Sequence, residues 1–327
     1  RNLDIEEACS KVDSGEMNVV RMKIPEKPET MILNDLIRGK VSIESKISED
    51  QVLLKSDGYP TYHLASVVDD HLMKITHVVR GEEWLPSFPK HLLLYRYFGW
   101  DPPKYAHLPL ILNPDRSKLS KRQVDISVED FKNQGYLPEA LINFVTFLGW
   151  SPDKDRELFS ISELVDEFSF DRVNKSGSIF DQGKLNWMNQ QYIQNLNMED
   201  LMNRSIPFLA NTSFSSLDKI FLKKILSIIQ PRLITLSEIV DHLPFFVDEN
   251  PETKNLEVLQ YLGKGSSKIV LAEFLKQLDN LGSLTRENLS IVVNNVQERT
   301  KIRGKNLWMP LRYAITLEVK GPDLNLI

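Results

Sequence analysis

A short basic loop in the middle of the chain carries the residue types best suited to phosphate chemistry. Residues 113–125 contain four basic and two acidic side chains, whereas the whole chain carries a net negative charge. The cations are Arg116, Lys118, Lys121 and Arg122. Ammonium groups that meet charge as it develops on a polyphosphate stabilise the transition state more than the ground state. The alternative interpretation is a solvated basic loop, because the pattern Lys-x-Ser-Lys is short.

The elements that precede this loop have the pattern of a parallel α/β sheet. A helix is predicted over 61–72, with Thr61 as its N-cap, and another over 86–98. Short apolar strands are predicted over 75–80 and 107–112, so helices and strands alternate. Open α/β folds bind ligands at the carboxyl ends of their strands, which is where the loop after 107–112 would lie. The stretch looks like the second half of such a sheet.

The two flanks of this stretch differ in secondary structure. Before it, strands are predicted over 19–24, 41–43 and 52–54, which indicates a β-rich module. After Ser127 the pattern becomes helical, and from Met198 onward nearly every segment has a helical period. The predicted fold class is therefore α/β followed by all-α.

Length and composition exclude several classes of protein. The chain has 327 residues and a net charge of -5, which excludes a globally basic nucleic-acid coat but allows a local basic site. A single cysteine, Cys9, excludes an internal disulfide and a multi-cysteine zinc site. The apolar stretch 141–150 is shorter than a membrane helix requires, so no membrane association is expected.

Several motifs in one order identify the chain as similar to a known family. Lys118 to Arg122 (KLSKR) resembles the second signature of class I aminoacyl-tRNA synthetases, usually written KMSKS. The surrounding sequence resembles glutamyl-tRNA synthetases of the bacterial and mitochondrial type over nearly its whole length. The stretches that carry the resemblance are 56–65 (SDGYPTYHLA), 67–73 (VVDDHLM), 80–85 (RGEEWL), 91–95 (HLLLY) and 135–141 (GYLPEAL).

The resemblance implies a glutamate pocket built from four side chains: Tyr62, Ser66, Arg80 and Trp84. Arg80 would bind the side-chain carboxylate, for which a forked, permanently charged guanidinium is suited. Ser66 departs from the family, which usually has Asn there, and a hydroxyl offers one donor where an amide offers two. The alternatives are a surface arginine at a strand end and, for Tyr62 and Trp84, ordinary core aromatics.

The resemblance also implies an ATP site. The positions that match it are Glu83, Ile111, Lys118, Leu119, Ser120, Lys121 and Arg122, of which Lys118, Ser120 and Lys121 would be catalytic. ATP is expected to arrive with Mg²⁺ as a substrate. Zinc is not indicated, because the histidines show no metal-ligand spacing and core or surface positions are expected for them. These histidines are His63, His71, His77, His91 and His107.

The expected partners are tRNA(Glu), L-glutamate and ATP, and the protein is expected to be a monomer. By resemblance, residues 1–60 are the remainder of the connective, acceptor-stem-binding module, and 61–126 the C-terminal half of the Rossmann-like catalytic domain. Residues 127–196 resemble the stem-contact region, and 197–327 the helical anticodon-binding domain. Arg232 matches an arginine that contacts the anticodon, although it could equally be one arginine beside a helix-starting proline.

The first class I signature, His-Ile-Gly-His, has no match in this sequence, which opens on Arg1. We therefore expect an N-terminally truncated chain that does not form the adenylate alone. The expected activity of the parent is ATP-dependent attachment of glutamate to tRNA through a glutamyl-adenylate. The alternatives are a non-catalytic tRNA-binding fragment and glutamyl transfer to a modified tRNA base. The expected compartment is the mitochondrial matrix, with the bacterial cytoplasm as the alternative.

Overall fold

The fold is given by a computed structural model, and the description covers most of the chain. The described residues are 3–27, 29–44, 49–119, 127–153, 155–247, 253, 255–279, 281, 285–317, 319 and 324. They fall into two compact units, one drawn from residues 1–124 and 142–182 and the other from 125–141 and 183–327.

The strands of the described residues belong to the first unit, and four of the eight form one mixed sheet. The strands are β1 (Val20–Arg21), β2 (Thr30–Asp35), β3 (Gly39–Glu44), β4 (Val52–Leu54), β5 (His77–Gly81), β6 (Lys104–Leu108), β7 (Ile111–Leu112) and β8 (Ser178–Ile179). The largest sheet has the order β3-β2-β6-β5. In it β3 runs antiparallel to β2, whereas β2 and β5 both run parallel to β6.

The β2 strand was not among the sequence predictions, although its residues alternate cleanly between buried and exposed positions. Met31, Leu33 and Asp35 are buried, and the first two belong to apolar clusters on the sheet. Because β2 pairs with β6, the sheet continues across the boundary predicted at residue 60. The predicted division into four domains, with boundaries near residues 60, 126 and 196, remains a prediction.

Helices form where they are predicted over 61–72 and 86–98, and they make up most of the described chain after Ser127. They are α1 (Ile5–Asp13), α2 (Tyr62–Leu72), α3 (Phe88–Phe98), α4 (Val128–Asn133), α5 (Pro138–Phe147), α6 (Ile161–Glu167), α7 (Gln182–Gln194), α8 (Met198–Leu209), α9 (Lys219–Ile229), α10 (Ile239–His242), α11 (Pro244–Val247), α12 (Leu256–Leu262), α13 (Gly265–Leu278), α14 (Arg286–Thr300) and α15 (Lys305–Thr316). None of those in the described part of the chain is long and apolar enough to cross a membrane.

Two local features fix the helices that border the sheet. Thr61 precedes α2 as predicted, but its hydroxyl donates to the carbonyl oxygen of Val52 at 2.8 Å and caps no helical N–H. That bond ties the start of α2 to β4. Gly99 ends α3 with φ of 67°, a left-handed conformation that favours glycine. Val67 of α2 and Leu93 of α3 then meet in one buried cluster.

The second unit is built from helices around its own apolar core. Leu201, Ile225 and Leu226 lie at the centre of one cluster and are almost wholly buried. A second cluster, which includes Val270 and Val296, joins α13 and α14. The longer helices thus bury apolar residues against their neighbours, which agrees with the predicted all-α region.

Candidate active site

Three parallel strands end at the same edge of the sheet, and each contributes a polar side chain there. Asp35 ends β2, Arg80 lies one residue before the end of β5, and His107 one residue before the end of β6. Arg80 and His107 are direct partners in the parallel register. The carboxyl edge of a parallel sheet is the usual place for a ligand site, so the topology agrees with the predicted role of Arg80.

The Arg80 guanidinium is held on two of its nitrogens. Its Nε donates to Nε2 of His107 at 3.1 Å, and its Nη1 lies 3.5 Å from Nδ1 of His91. The guanidinium carbon also lies 5.5 Å from the ring centre of Tyr105, within the range of a cation–π contact. The remaining nitrogen, Nη2, is buried and has no hydrogen-bond partner among the described residues. An oriented, charged donor therefore remains for an anionic ligand.

A buried carboxylate lies behind this arginine. Asp35 is 4% exposed, and its Oδ2 lies 2.6 Å from Nδ1 of His107. The other oxygen accepts from the backbone N–H groups of Ile37 and Arg38, each at 2.9 Å. Burial alone would raise the pKa of Asp35, but the hydrogen bonds from Arg38, His107 and Ile37 outweigh it and hold this pKa below its ordinary value. The carboxyl group is therefore ionised at neutral pH.

The histidines around Arg80 are neutral at neutral pH. Burial, followed by the positive charge of Arg80, lowers the pKa of His91 to about 3. Burial also lowers the pKa of His107, against the opposing hydrogen bond to Asp35. His91 continues the contacts outward, because its Nε2 lies 2.9 Å from Nδ1 of His63. We call Asp35, His107, Arg80, His91 and His63 the Arg80 network.

An aromatic pair, Tyr62 and Trp84, lies beside the Arg80 network. Tyr62 opens α2, and Trp84 lies in the 3-10 helix Glu82–Ser87 that follows β5. Their ring centres are 5.0 Å apart, and the Tyr62 ring lies 6.1 Å from that of His91. Tyr62 is 51% exposed and Trp84 is 37% exposed, so neither is an ordinary core aromatic. The structure therefore places Tyr62 beside His91 of the Arg80 network, and Trp84 beside Tyr62.

Ser66 lies one turn after Tyr62 on α2 and is half-buried. Asp70 lies one turn after Ser66. Residues spaced by four lie on one face of a helix, so Ser66 shares a face with Tyr62 and Asp70. Burial raises the pKa of Asp70, and the nearby Arg80 charge partly opposes that increase. Ser66 thus shares a helix face with Tyr62, whose ring lies beside His91 of the Arg80 network.

The predicted ATP residues form a second group at the end of β7. Lys118 Nζ lies 3.2 Å from Glu83 Oε1, and both side chains are largely exposed. The N–H of Glu83 itself and the ammonium of Lys118 hold the pKa of Glu83 below its ordinary value. The chain turns tightly after Leu112, so that Leu119 N–H donates to the carbonyl oxygen of Ile111 at 3.0 Å. Ser120, Lys121 and Arg122 lie outside the described residues.

Arg232, the predicted anticodon residue, lies in the helical unit and is exposed. It ends the short 3-10 helix Gln230–Arg232. The turn is anchored to α7, because Gln230 Nε2 donates to the carbonyl oxygen of Ile193 at 2.9 Å, and Gln194 Nε2 donates to that of Pro231 at 2.7 Å. The two glutamines thus hold the backbone next to Arg232 in place.

The sequence predictions did not include the partners of Arg80. His91 and His107 are buried, as expected of core histidines, yet they also contact the predicted ligand-binding arginine. Asp35 was not considered because β2 was not predicted. The local sequence gives no signal that its side chain points inward, because residues 30–35 read TMILND without polar–apolar alternation and only their burial alternates. Within the described ranges, no cluster of histidine, cysteine or acidic side chains is arranged to hold a metal ion.

Comparison with known proteins relates this geometry to one family. Residues 1–187 match the family model of the catalytic domain of class I tRNA synthetases (E and Q), and residues 200–327 match an anticodon binding domain. A glutamate–tRNA ligase of Alkaliphilus metalliredigens is 42% identical over 322 residues, covering 97% of this chain and 65% of that protein. A glutamate–tRNA ligase of Clostridioides difficile is also 42% identical, over 329 residues that cover 99% of this chain and 66% of that protein.

Solved structures agree with the sequence comparison. A crystal structure of a glutamate tRNA ligase from Elizabethkingia meningosepticum, in complex with its amino acid, superposes with a TM-score of 0.85 at 34% identity. The match covers 99% of this chain and 68% of that one. The chain spans about two thirds of the length of these relatives. It belongs to the class I tRNA synthetases of the E and Q group, among the glutamate–tRNA ligases.

Proposed function

We propose that the protein containing this chain attaches L-glutamate to tRNA(Glu) in an ATP-dependent reaction. The observation that carries the proposal is the Arg80 guanidinium at the carboxyl edge of the sheet, with its buried Nη2 lacking a partner among the described residues. A carboxylate is the ligand that satisfies both its charge and its fork of donors. Membership of the glutamate–tRNA ligases supports glutamate as that ligand.

In this proposal the side chain of glutamate pairs with Arg80. The hydroxyl of Tyr62 contacts the substrate, and Trp84 packs against its methylene groups. Ser66, on the same face of α2, holds the α-substituents of the amino acid. Glutamine is rejected because its neutral amide gives the half-buried arginine no counter-charge at Nη2, and a site built around such a pair discriminates strongly.

ATP binds beside this pocket, toward the end of β7. Glu83 contacts the ribose, and the backbone of Ile111 and Leu119 contacts the adenine side of the nucleotide. Lys118, Ser120, Lys121 and Arg122 contact the phosphates, and Mg²⁺ arrives with ATP as part of the substrate. The Lys118–Glu83 ion pair supports this grouping, because it brings a signature lysine to the residue proposed for the ribose.

The reaction then proceeds in two steps. A carboxylate oxygen of the glutamate α-carboxyl group attacks the α-phosphorus of ATP, a new P–O bond forms and pyrophosphate leaves. Lys118 and Lys121 stabilise the charge on the departing pyrophosphate. In the second step a hydroxyl of the terminal tRNA ribose attacks the acyl carbon of the adenylate, and AMP leaves. The products are glutamyl-tRNA, AMP and pyrophosphate.

We assign tRNA contacts to the parts of the chain outside the catalytic sheet. Residues 1–60 contribute to acceptor-stem binding, 127–196 contact the stem, and 197–327 bind the anticodon. Arg232 contacts an anticodon base, because an exposed planar cation stacks on and hydrogen-bonds to unstacked bases. The match of residues 200–327 to an anticodon binding domain supports this assignment.

The test is amino-acid-dependent ATP–pyrophosphate exchange by the complete protein, with glutamate, glutamine or aspartate and with or without tRNA(Glu). We expect exchange with glutamate that depends on tRNA and little with the other two. Tight tRNA binding without exchange for any amino acid would instead identify a non-catalytic tRNA-binding protein.

The position on tRNA to which glutamate is attached distinguishes the synthetase from the second alternative, glutamyl transfer to a modified base. Removal of the 3′-terminal adenosine of the tRNA abolishes acylation of that ribose but leaves every modified base intact. Labelling that survives this removal would therefore favour base glutamylation. The match of residues 200–327 to an anticodon binding domain supports the synthetase.

We further propose that the protein acts as a monomer in the mitochondrial matrix, with the bacterial cytoplasm as the alternative. The signature at residues 118–123 (KLSKRQ) resembles that of mitochondrial members, and bacterial members share it, so the bacterial cytoplasm stays as the alternative. Fractionation of cells that express the complete protein would separate the two, and its elution volume in gel filtration would give the oligomeric state.

A further inference from the structure

The Arg80 network links a carboxylate in the core of the sheet to the proposed glutamate pocket. Asp35 contacts His107 at 2.6 Å, and His107 accepts from Arg80 at 3.1 Å. Both Asp35 and His107 are almost wholly buried. Their positions at the ends of β2 and β6 make this contact a consequence of strand pairing.

The hydrogen bonds determine which nitrogen of His107 carries the proton. The carboxylate of Asp35 is an acceptor, so Nδ1 of His107 must donate to it. The Nε of Arg80 is always a donor, so Nε2 of His107 must accept. Only the neutral Nδ1–H tautomer satisfies both contacts. Asp35 therefore selects the form of the imidazole that can hold the arginine.

We infer that His107 is a positioning residue for glutamate selection: it holds Arg80 by Nε and thereby directs Nη2 toward the substrate carboxylate. The inference rests on the proposed function, in which Arg80 binds that carboxylate. His107 itself does not contact the substrate. Residues that fix a binding side chain in this way preserve its geometry, and small misplacements of such a group are costly.

Two further contacts restrict the guanidinium but leave Nη2 available. The Tyr105 ring lies 5.5 Å from its carbon and restricts movement out of the guanidinium plane. The 3.5 Å separation between Nη1 and His91 is long for a hydrogen bond, so His91 constrains Arg80 less than His107 does. The bond to His107 is thus the strongest of the contacts that set the orientation of Arg80.

A pair of substitutions separates the two bonds of His107. In His107→Asn the amide nitrogen occupies the position of Nδ1 and still donates to Asp35, but no acceptor reaches Arg80. In His107→Gln the longer side chain places an amide oxygen near the position of Nε2, where it accepts from Arg80. His77→Asn is the matched control, because His77 lies on β5, is exposed and contacts only Thr76 among the hydrogen bonds described.

We expect His107→Asn to lower kcat/KM for glutamate by about 10- to 100-fold, the range for one lost hydrogen bond to a charged group. The loss should lie mainly in KM for glutamate, with KM for ATP unchanged. His107→Gln should recover most of the activity, and His77→Asn should behave as the natural protein. Glutamate-dependent ATP–pyrophosphate exchange by the complete protein, with tRNA(Glu) present, measures all of these.

A second measurement does not depend on activity or on the stability of a variant. Nitrogen-15 NMR of the natural protein with labelled histidine reports the proton on each ring nitrogen. We expect a protonated Nδ1 and an unprotonated Nε2 for His107 near neutral pH. A protonated Nε2 would overturn the inference, since that nitrogen could not accept from Arg80. Because this measurement uses the natural protein, it can overturn the inference even if His107→Asn fails to fold.

Comparison of the Arg80 and His107 variants separates a wrong positioning role for His107 from a wrong glutamate pocket. If Arg80→Gln abolishes glutamate activation while His107→Asn leaves it unchanged, glutamate binding by Arg80 stands and the positioning role is wrong. If His107→Asn and His107→Gln lose activity equally, with KM for ATP and melting temperature affected together, His107 is merely structural. If Arg80→Gln leaves glutamate activation unchanged, the proposed pocket itself is wrong.

Discussion

Replacement of Arg80 tests the electrostatic basis of the proposed pocket. Arg80→Gln removes the charge and keeps a side chain of similar shape, whereas Arg80→Lys keeps the charge and removes the fork of donors. In the natural protein Nε is engaged by His107, and Nη2 is the donor without a partner in the described part of the chain. The two variants therefore separate what charge contributes from what orientation contributes.

The expected magnitude follows from the half-buried position of Arg80. Two unit charges about 4 Å apart, at the effective dielectric constant of about 20 that suits such sites, interact by about 4 kcal/mol. That energy corresponds to a factor of about 10³ in kcat/KM. We expect Arg80→Gln to lose about this factor for glutamate. Arg80→Lys should lose only about 10- to 100-fold, because its ammonium retains the attraction but not the paired geometry.

The assay compares glutamate with glutamine as substrates for each variant. Arg80→Gln should change kcat/KM for glutamine much less than kcat/KM for glutamate, so that the preference for glutamate largely disappears. The melting temperature of each variant provides the control for folding. The reasoning would be refuted if Arg80→Gln lowered activity with both substrates by the same factor, or if Arg80→Lys were as defective as Arg80→Gln.

Three further substitutions test the loop and the helical unit. Lys121→Ala should slow adenylate formation by roughly 10²–10³ in pre-steady-state assays; an equal loss of tRNA affinity would contradict its role. Gly135→Ala should lower the free energy of unfolding by about 2–4 kcal/mol in urea titrations, since φ is +85° and a Cβ atom would lie 2.6 Å from the backbone nitrogen of Leu236. The hydrogen bond from Arg204 holds the pKa of Glu139 below 4.5, so this pair stabilises the fold at neutral pH and the gain is lost as pH falls through the lowered pKa. Arg204→Met should therefore cost about 1 kcal/mol near neutral pH, a value reduced by the partial exposure of the pair, and nothing at strongly acidic pH.

Local sequence patterns predicted the helices around the site well. The predicted helix over 61–72 forms as Tyr62–Leu72, and the one predicted over 86–98 forms as Phe88–Phe98 after a 3-10 turn. Their periodic apolar faces and turn residues are encoded within a few positions of one another. Strand limits were less accurate: the strand predicted over 107–112 is two strands, β6 and β7, because Pro109 lacks the N–H needed for continuous pairing.

Motif content and local periodicity were sufficient to indicate the family, the fold class and the candidate residues Tyr62, Arg80 and Trp84. They could not indicate that Asp35 and His107 hold Arg80, because these contacts join residues 72 and 27 positions apart along the chain. The order β3-β2-β6-β5 and its parallel register bring the three side chains to one edge. Hydrogen bonding between distant strands decides that order, and no short stretch of sequence contains the information.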